Sequence, residues 1–379
     1  MSNDLLLRPY SRDRLKLPNR LVMAPMTRYR AAEDGTPLPI VAEHYAQRAS
    51  AGLIISEGIY PDRRGQSGWR LPGLTDAAHV AGWRQVTDAV HARGGRIWAQ
   101  LMHGGRNGHP LAGLDGAAPI APSAVPAAAS VHLPDGTKTA PVLPQVMSER
   151  DIADTVAAYA ASARLAIDAG FDGVELHGAN NYLIHQFLAD NTNLRTDAYG
   201  GGPEGRARFP LEVTAAVTGA IGADRTAIRL SPGNPQFGMV EADPGPVYRP
   251  LVDRLDRLGL AYLHLTDGDD YPALADLRPR WHGTLIANVG ENRDQTTRDA
   301  GEEILRSGLA DLVSYGRAFL ANPDLPARFA VRAPLNPIDH AHLYTPGPRG
   351  YLDYPALDRT QLVSAAAPSS PAPPARRAD

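Results

Sequence analysis

The sequence predicts an α/β fold of the TIM-barrel class, a (β/α)8 barrel with an N-terminal hairpin and a long lid insertion after strand three. Three observations predict it. Short apolar runs alternate with segments of helical spacing, and eight such units follow one another along the chain. Polar residues and glycines gather just past the ends of those runs, where a parallel barrel presents its ligand site. No GxGxxG follows a strand and no P-loop occurs, so a resident Rossmann dinucleotide site is not indicated.

Residues 1–20 alternate polar and apolar positions around Pro9 and Pro18, a pattern that suits a short hairpin covering one end of a barrel. Strand one, Leu21 to Ala24, stops at Pro25, with Met26 and Thr27 after it. A helix from about Ile40 to Ser50 leads to strand two, Leu53 to Ser56, which stops at Glu57 and Gly58. Helical spacing at Val80, Trp83, Val86 and Val90 marks the next helix, ended by Gly94 and Gly95. Strand three, Arg96 to Met102, delivers Gln100, Met102 and His103. The pattern then breaks from Gly104 to Val146 into Gly, Pro and Ala, with a turn signal at Pro134, Asp135 and Gly136. An aperiodic stretch of that length after a strand's C-terminal end reads as a lid, with Val131 to Ala140 a small hairpin.

The following helix carries Ile152, Val156, Tyr159, Ala163 and Ile167 on one face until Gly170. At its start Ser148 and Asp151 match a capping box in charge only, since Asp stands where Glu or Gln is usual. Strand four, Gly173 to Leu176, runs into His177, Asn180 and Tyr182. A helix from about Pro203 to Gly219 precedes strand five, Thr226 to Leu230, in which Arg229 is a charged exception between Ile228 and Leu230. Helix Val247 to Leu258 leads to strand six, Tyr262 to Thr266, and strand seven, Thr284 to Val289, runs into Gly290. Helix Asn292 to Ser307 leads to strand eight, Asp311 to Ser314, followed by Tyr315, Gly316 and Arg317. Residues 1–360 thus read as one barrel domain with the lid at 104–146. The Ala-, Pro-, Ser- and Arg-rich residues 361–379 lack apolar groups to pack and read as disordered.

Composition narrows the chemistry. The chain has 379 residues, 43% hydrophobic and 21% charged, with a net charge of −3 and dispersed arginines, so no nucleic-acid footprint is indicated. It contains no cysteine, which excludes thiolate nucleophiles, disulfides and Cys-held metal or iron–sulfur sites. Its only lysines, Lys16 and Lys138, lie away from predicted strand ends, which argues against Schiff-base chemistry. The N-terminus shows no signal pattern and no apolar run approaches the roughly 18 residues needed to span a bilayer. A cytoplasmic protein without membrane association is the expectation.

The strand ends present Thr27, Glu57, Gly58, Gln100, His177, Asn180, Tyr182, Arg229, Gly290, Gly316 and Arg317. His177, Asn180 and Tyr182 can each donate a hydrogen bond, although each could instead cap a segment or pack in the core. Gly290, Gly316 and Arg317 suit a phosphate held by the loops after strands seven and eight, or else serve only as strand and helix ends. Gln100 and Arg229 could face a planar ring that gains negative charge on reduction. A phosphorylated ring cofactor fits both ends.

The stretch HGANNYLIHQFLADNTNLRTDAYGG, with GRARF after it, resembles the signature of the Old Yellow Enzyme family of FMN-dependent ene-reductases. NRLVMAPMTR, AQLMHGGR, AIRLSP, ADLVSYGRAFLANPDLP and GYLDYPAL match in the family's order, from about residue 5 to about residue 357. Thr27, where a second branch carries cysteine, places the chain with the branch named for the yeast enzymes.

The resemblance implies FMN at the barrel mouth, reduced by NAD(P)H acting as a transient reductant. It places Pro25, Met26, Thr27, Gly58, Gln100 and Arg229 against the flavin ring and Gly290, Gly316 and Arg317 at its phosphate. It implies that His177 and Asn180 donate to a carbonyl or nitro oxygen of an activated alkene, that Tyr182 supplies the proton, and that Met102 and Tyr344 line the pocket. No metal is implied, and a monomer or homodimer is expected. Met102 stands where many relatives have tryptophan, Val289 replaces one glycine of a usual pair, and Leu343 replaces a common aromatic. Two rival readings are a metal-dependent barrel hydrolase using His103, His177, His264 and Glu57, and a non-catalytic flavin-binding barrel.

Overall fold

Alternation of apolar strands with amphipathic helices resolves, in the computed structural model, into a closed parallel barrel. Residues 4–113, 116–133, 137–268, 270–289 and 296–358 are described. The barrel strands are β1 (Leu21–Met23), β2 (Leu53–Ile59), β3 (Ile97–Leu101), β4 (Gly173–Gly178), β5 (Thr226–Leu230), β6 (Tyr262–Asp267), β7 (Thr284–Val289) and β8 (Leu312–Tyr315). Each pairs in parallel with the next, and β8 closes on β1. The helices between them are α1 (Pro39–Gln47), α2 (Ala77–His91), α3 (Glu149–Asp168), α4 (Pro203–Ile221), α5 (Gly245–Asp256), α6 (Pro272–Leu277) and α7 (Arg298–Ser307), with the short α8 (Arg317–Ala321) after β8.

Three local expectations change. Strand two does not stop at Glu57 and Gly58 but continues through both to Ile59, with its register against β3 shifting between Ile55 and Gly58. The polar residue is tolerated because its groups are satisfied: the Glu57 N–H donates to Tyr45 Oη at 2.7 Å and its carboxylate accepts the Arg28 N–H at 3.1 Å. Ser148 and Asp151 form a complete capping box, since the Ser148 hydroxyl accepts from the Asp151 N–H at 3.1 Å and the Asp151 carboxylate accepts from the Ser148 N–H at 2.9 Å. The shorter aspartate still reaches. Helix α7 begins only at Arg298, capped by the Thr297 hydroxyl, while the expected start at Asn292 lies outside the described residues.

The N-terminal segment forms the expected hairpin, pairing Tyr10–Arg12 with Leu15–Leu17. Tyr10, Leu15 and Leu17 pack against Val22, Leu53, Trp98 and Ile286 near the amino ends of the strands. The Tyr10 hydroxyl meets Thr284 Oγ1 at 2.9 Å. This plug closes the end of the barrel opposite the strand C-termini.

After β3 the chain makes two short 3-10 turns and two small pairings, Ile120–Ala121 with Gln145–Val146 and Val131–His132 with Lys138–Thr139. The turn signal at 134–136 and the tail 361–379 lie outside the described residues. Among the described residues no helix is long and apolar enough to cross a membrane.

Candidate active site

The site is built from the carboxyl ends of the strands. On β4, alternation sends Glu175 and His177 to the same face, and parallel register sets Glu175 beside Gln100 of β3 and His177 beside Arg229 of β5. A polar chain results. Gln100 Nε2 donates to Glu175 Oε1 at 2.8 Å, and Glu175 Oε2 lies 2.8 Å from His264 Nδ1. A carboxylate can only accept, so His264 donates from Nδ1 and its Nε2 accepts the Ser314 hydroxyl at 2.9 Å. Burial holds His264 below the usual imidazole pKa despite Glu175, so it is neutral.

Arg229 is 5% exposed and donates from Nε to Thr266 Oγ1 at 3.1 Å and from Nη2 to Asn288 Oδ1 at 2.7 Å. Asn288 in turn donates to the Ser314 carbonyl at 3.2 Å. The guanidinium is thus oriented by β6 and β7, with Asn288 braced in turn on β8.

His177 is 3% exposed, and among the described residues its buried Nδ1 has no hydrogen-bond partner. Burial, reinforced by the Arg229 cation, holds its pKa well below the usual value and keeps the ring neutral. The Tyr182 ring lies 4.8 Å from it at 42°. Instead of a loop alone, β4 leads through a left-handed pair, Asn180 (φ +52°) and Asn181 (φ +64°), into a six-residue helix, Leu183–Leu188, for which Tyr182 is the N-cap. Asn180 donates its N–H to Ser231 Oγ at 3.1 Å. Burial, with Tyr344 nearby, pushes the Tyr182 phenol up to about 12.

Across the mouth, Pro25, Met26 and Thr27 follow β1 and are partly exposed. Gly58 is a close-packed position: a Cβ there would meet Met102 Sδ at 2.4 Å. Met102 is 2% exposed and packs with Tyr60 and Leu71, against Tyr29 and Tyr182. Gly316 is the N-cap of α8 and Arg317 its exposed first residue. Gly290 lies outside the described residues.

Tyr344 reaches the mouth from the C-terminal segment, 62% exposed, its ring 5.8 Å from that of Tyr29. The segment is clamped by buried arginines. Arg28 donates to the carbonyls of Leu343 and Gly350, and Arg30 to those of His342 and Gly347, at 2.6 to 3.1 Å.

The structure therefore sets the His177 and Tyr182 rings against each other after β4, with Asn180 in the turn between them and Arg229 and Gln100 on the flanking strands. Sequence reasoning missed Tyr29, Glu175 and His264 as partners in this arrangement. Glu175 carried the signal that singled out Arg229, a charge inside an apolar run; Tyr29 carried none beyond lying two residues after Thr27. Of the three histidines in the metal reading, His264 is engaged with Glu175 and Ser314 and His103 accepts the Gly105 N–H at 3.0 Å; among the described residues no three His, Asp or Glu side chains are grouped to hold a metal.

The donor set fits a flavin phosphate. A buried imidazole whose Nδ1 has no hydrogen-bond partner among the described residues and an oriented guanidinium stand at the ends of β4 and β5, and a glycine-started turn with an arginine follows β8.

Residues 6–336 match the family described as NADH:flavin oxidoreductase / NADH oxidase. The chain is 41% identical over 378 residues to 12-oxophytodienoate reductase 7 of Oryza sativa subsp. japonica, covering 93% of this chain and 94% of that protein. It is 42% identical over 366 residues to a probable flavin mononucleotide-dependent alkene reductase of Leishmania infantum, covering 94% and 98%. The structure of morphinone reductase in complex with tetrahydroNAD superposes with a TM-score of 0.88 at 42% identity, over 94% of this chain and 98% of that one. The chain belongs to the NADH:flavin oxidoreductase family of Old Yellow Enzyme type, whose cofactor is FMN and whose reductant is a nicotinamide nucleotide.

Proposed function

We propose that the enzyme is an ene-reductase acting on activated alkenes, α,β-unsaturated carbonyl or nitro compounds, and that the turn after β4 carries the chemistry. The observation that carries this reading is the buried His177, whose Nδ1 has no hydrogen-bond partner among the described residues and whose ring centre lies 4.8 Å from that of Tyr182. Bound FMN supplies the hydride that reaches the alkene's β-carbon. Negative charge then develops on the substrate oxygen, where neutral His177 and the Asn180 amide are the proposed donors. One such preorganised donor is worth about 3 kcal/mol of barrier. Tyr182, its pKa pushed up to about 12, holds its proton at neutral pH and delivers it to the α-carbon.

Thr27, Gly58, Gln100 and Arg229 are assigned to the flavin ring, with Pro25 and Met26 as its neighbours in the turn. Arg229 would favour the anionic reduced ring. Gly290, Gly316 and Arg317 are assigned to the phosphate, and Met102 and Tyr344 to the pocket wall. The 104–146 segment is read as a lid on a single barrel domain, residues 1–360.

The test is direct. The purified protein should be yellow, bleach anaerobically with NADPH and recolour with cyclohexenone; a colourless protein that cannot be reconstituted with FMN would overturn the reading. Bleaching without recolouring would favour a non-catalytic flavin carrier. Tyr182→Phe should slow alkene reduction by about a hundredfold while flavin reduction by NADPH is retained. Equal loss of both half-reactions would count against the proton-donor role.

A further inference from the structure

Asn181 stands between Asn180 and Tyr182, yet its own side chain faces the protein. Its Oδ1 accepts from Arg106 Nε at 2.9 Å and its Nδ2 donates to Asn107 Oδ1 at 2.9 Å. Its carbonyl accepts from Asn107 Nδ2 and from Gln186 Nε2, both at 2.7 Å, and its N–H donates to His185 Nδ1 at 3.2 Å. Every polar group of the residue is engaged. This matters because Asn180 and Asn181 are both left-handed, a backbone that asparagine tolerates better than most residues but that two residues in succession rarely adopt, so the contacts around the pair help to hold it.

Arg106 extends the arrangement. It is 2% exposed, and among the described residues no carboxylate pairs with it; burial alone lowers its pKa to about 10. Its remaining donors go to the Pro126 carbonyl at 3.2 Å and to the Phe237 carbonyl and Met239 Sδ at 3.5 Å. One buried guanidinium therefore joins the segment after β3, the turn after β4 and the loop after β5. Behind the turn, His185 accepts at Nδ1 and so carries its proton on Nε2, which lies 3.5 Å from Glu241 Oε1; that carboxylate also accepts the Tyr248 hydroxyl at 2.8 Å.

We infer that Asn181 is a positioning residue, through which Arg106 and Asn107 hold the left-handed turn that presents Asn180 and Tyr182 to the substrate. The inference rests on the reading given under Proposed function. Releasing the turn would let the oxygen donor and the proton donor drift relative to each other, whereas the groups assigned to FMN on β3, β5 and β8 would stay in place.

The experiment uses the full-length, FMN-loaded enzyme. Asn181→Gly keeps the left-handed backbone and deletes both side-chain bonds; Asn181→Asp keeps an acceptor for Arg106. Single-turnover reoxidation of the reduced enzyme by cyclohexenone is measured over a range of enone concentrations, together with FMN affinity and melting temperature. Asn181→Gly should lower the limiting rate by about tenfold to about a hundredfold, the loss a misplacement of about 1 Å produces. FMN affinity should stay within about twofold of wild type and Asn181→Asp should recover most of the rate. A glycine variant that reoxidises at the wild-type rate, a parallel loss of FMN affinity, or an aspartate variant no faster than the glycine variant would overturn the inference. A wild-type enzyme that is yellow but is not reoxidised by the enone would overturn the functional reading itself.

Discussion

At the scale of single residues, the two proposed reacting groups are moved away from their ordinary titration ranges by burial, and in directions that suit their tasks. His177 is held neutral, so it can donate from one ring nitrogen without carrying a charge that would bind the substrate oxygen before reaction. Tyr182 is an acid only while protonated, and its loss with rising pH shifts from near 10 toward about 12. The rate of alkene reduction by the pre-reduced enzyme should therefore be flat from about pH 6 to about pH 9. An inflection near pH 6.5 that disappears in His177→Asn would show the histidine titrating and refute this. The raised phenol pKa also weakens the driving force for proton transfer, so Tyr182 contributes by placement more than by acidity.

At the scale of elements, the barrel strands are joined by helices whose ends are set by a few side chains. Helix α3 brings the chain back from the long 104–146 segment, and its complete capping box supplies two of the N–H partners its first turn needs. Ser148→Ala should destabilise the protein by about 1 kcal/mol in urea unfolding. Ser148 is not among the groups assigned to FMN, so FMN affinity should not change. Strand β2 teaches a related lesson. A buried glutamate marked the strand end by its polarity, but Glu57 is paired with backbone N–H groups of the Arg28–Tyr29 turn, and burial raises its pKa to about 7.

At the scale of the whole molecule, the two ends of the barrel have separate tasks. The hairpin plugs the amino end with apolar side chains, while the carboxyl end keeps the polar groups. Leu15, 4% exposed in the plug, is therefore a stability residue. Leu15→Ala should cost about 2 to 4 kcal/mol in thermal or denaturant unfolding, from lost burial and the cavity left behind. The FMN dissociation constant of the surviving folded protein should match wild type; a weaker constant would show that the two ends are coupled.

The barrel was legible in the chain itself, because short apolar strands and helix stops are local patterns that repeat eight times, whereas FMN was named only by the family resemblance. The positions of His177, Asn180, Tyr182 and Arg229, within a few residues of strand ends, were legible in the same way. The partners of these residues were not legible. Gln100 meets Glu175 across 75 positions, His264 meets Glu175 across 89, and Arg106 meets Asn181 across 75. Such pairings depend on strand register and on where loops cross the mouth, and neither follows from local propensity. The sequence alone determined the succession of strands and helices and the polar residues at the strand ends; the tertiary structure decided that Glu175 joins Gln100 to His264 and that Arg106 holds Asn181, because only closure of the barrel brings these distant residues together.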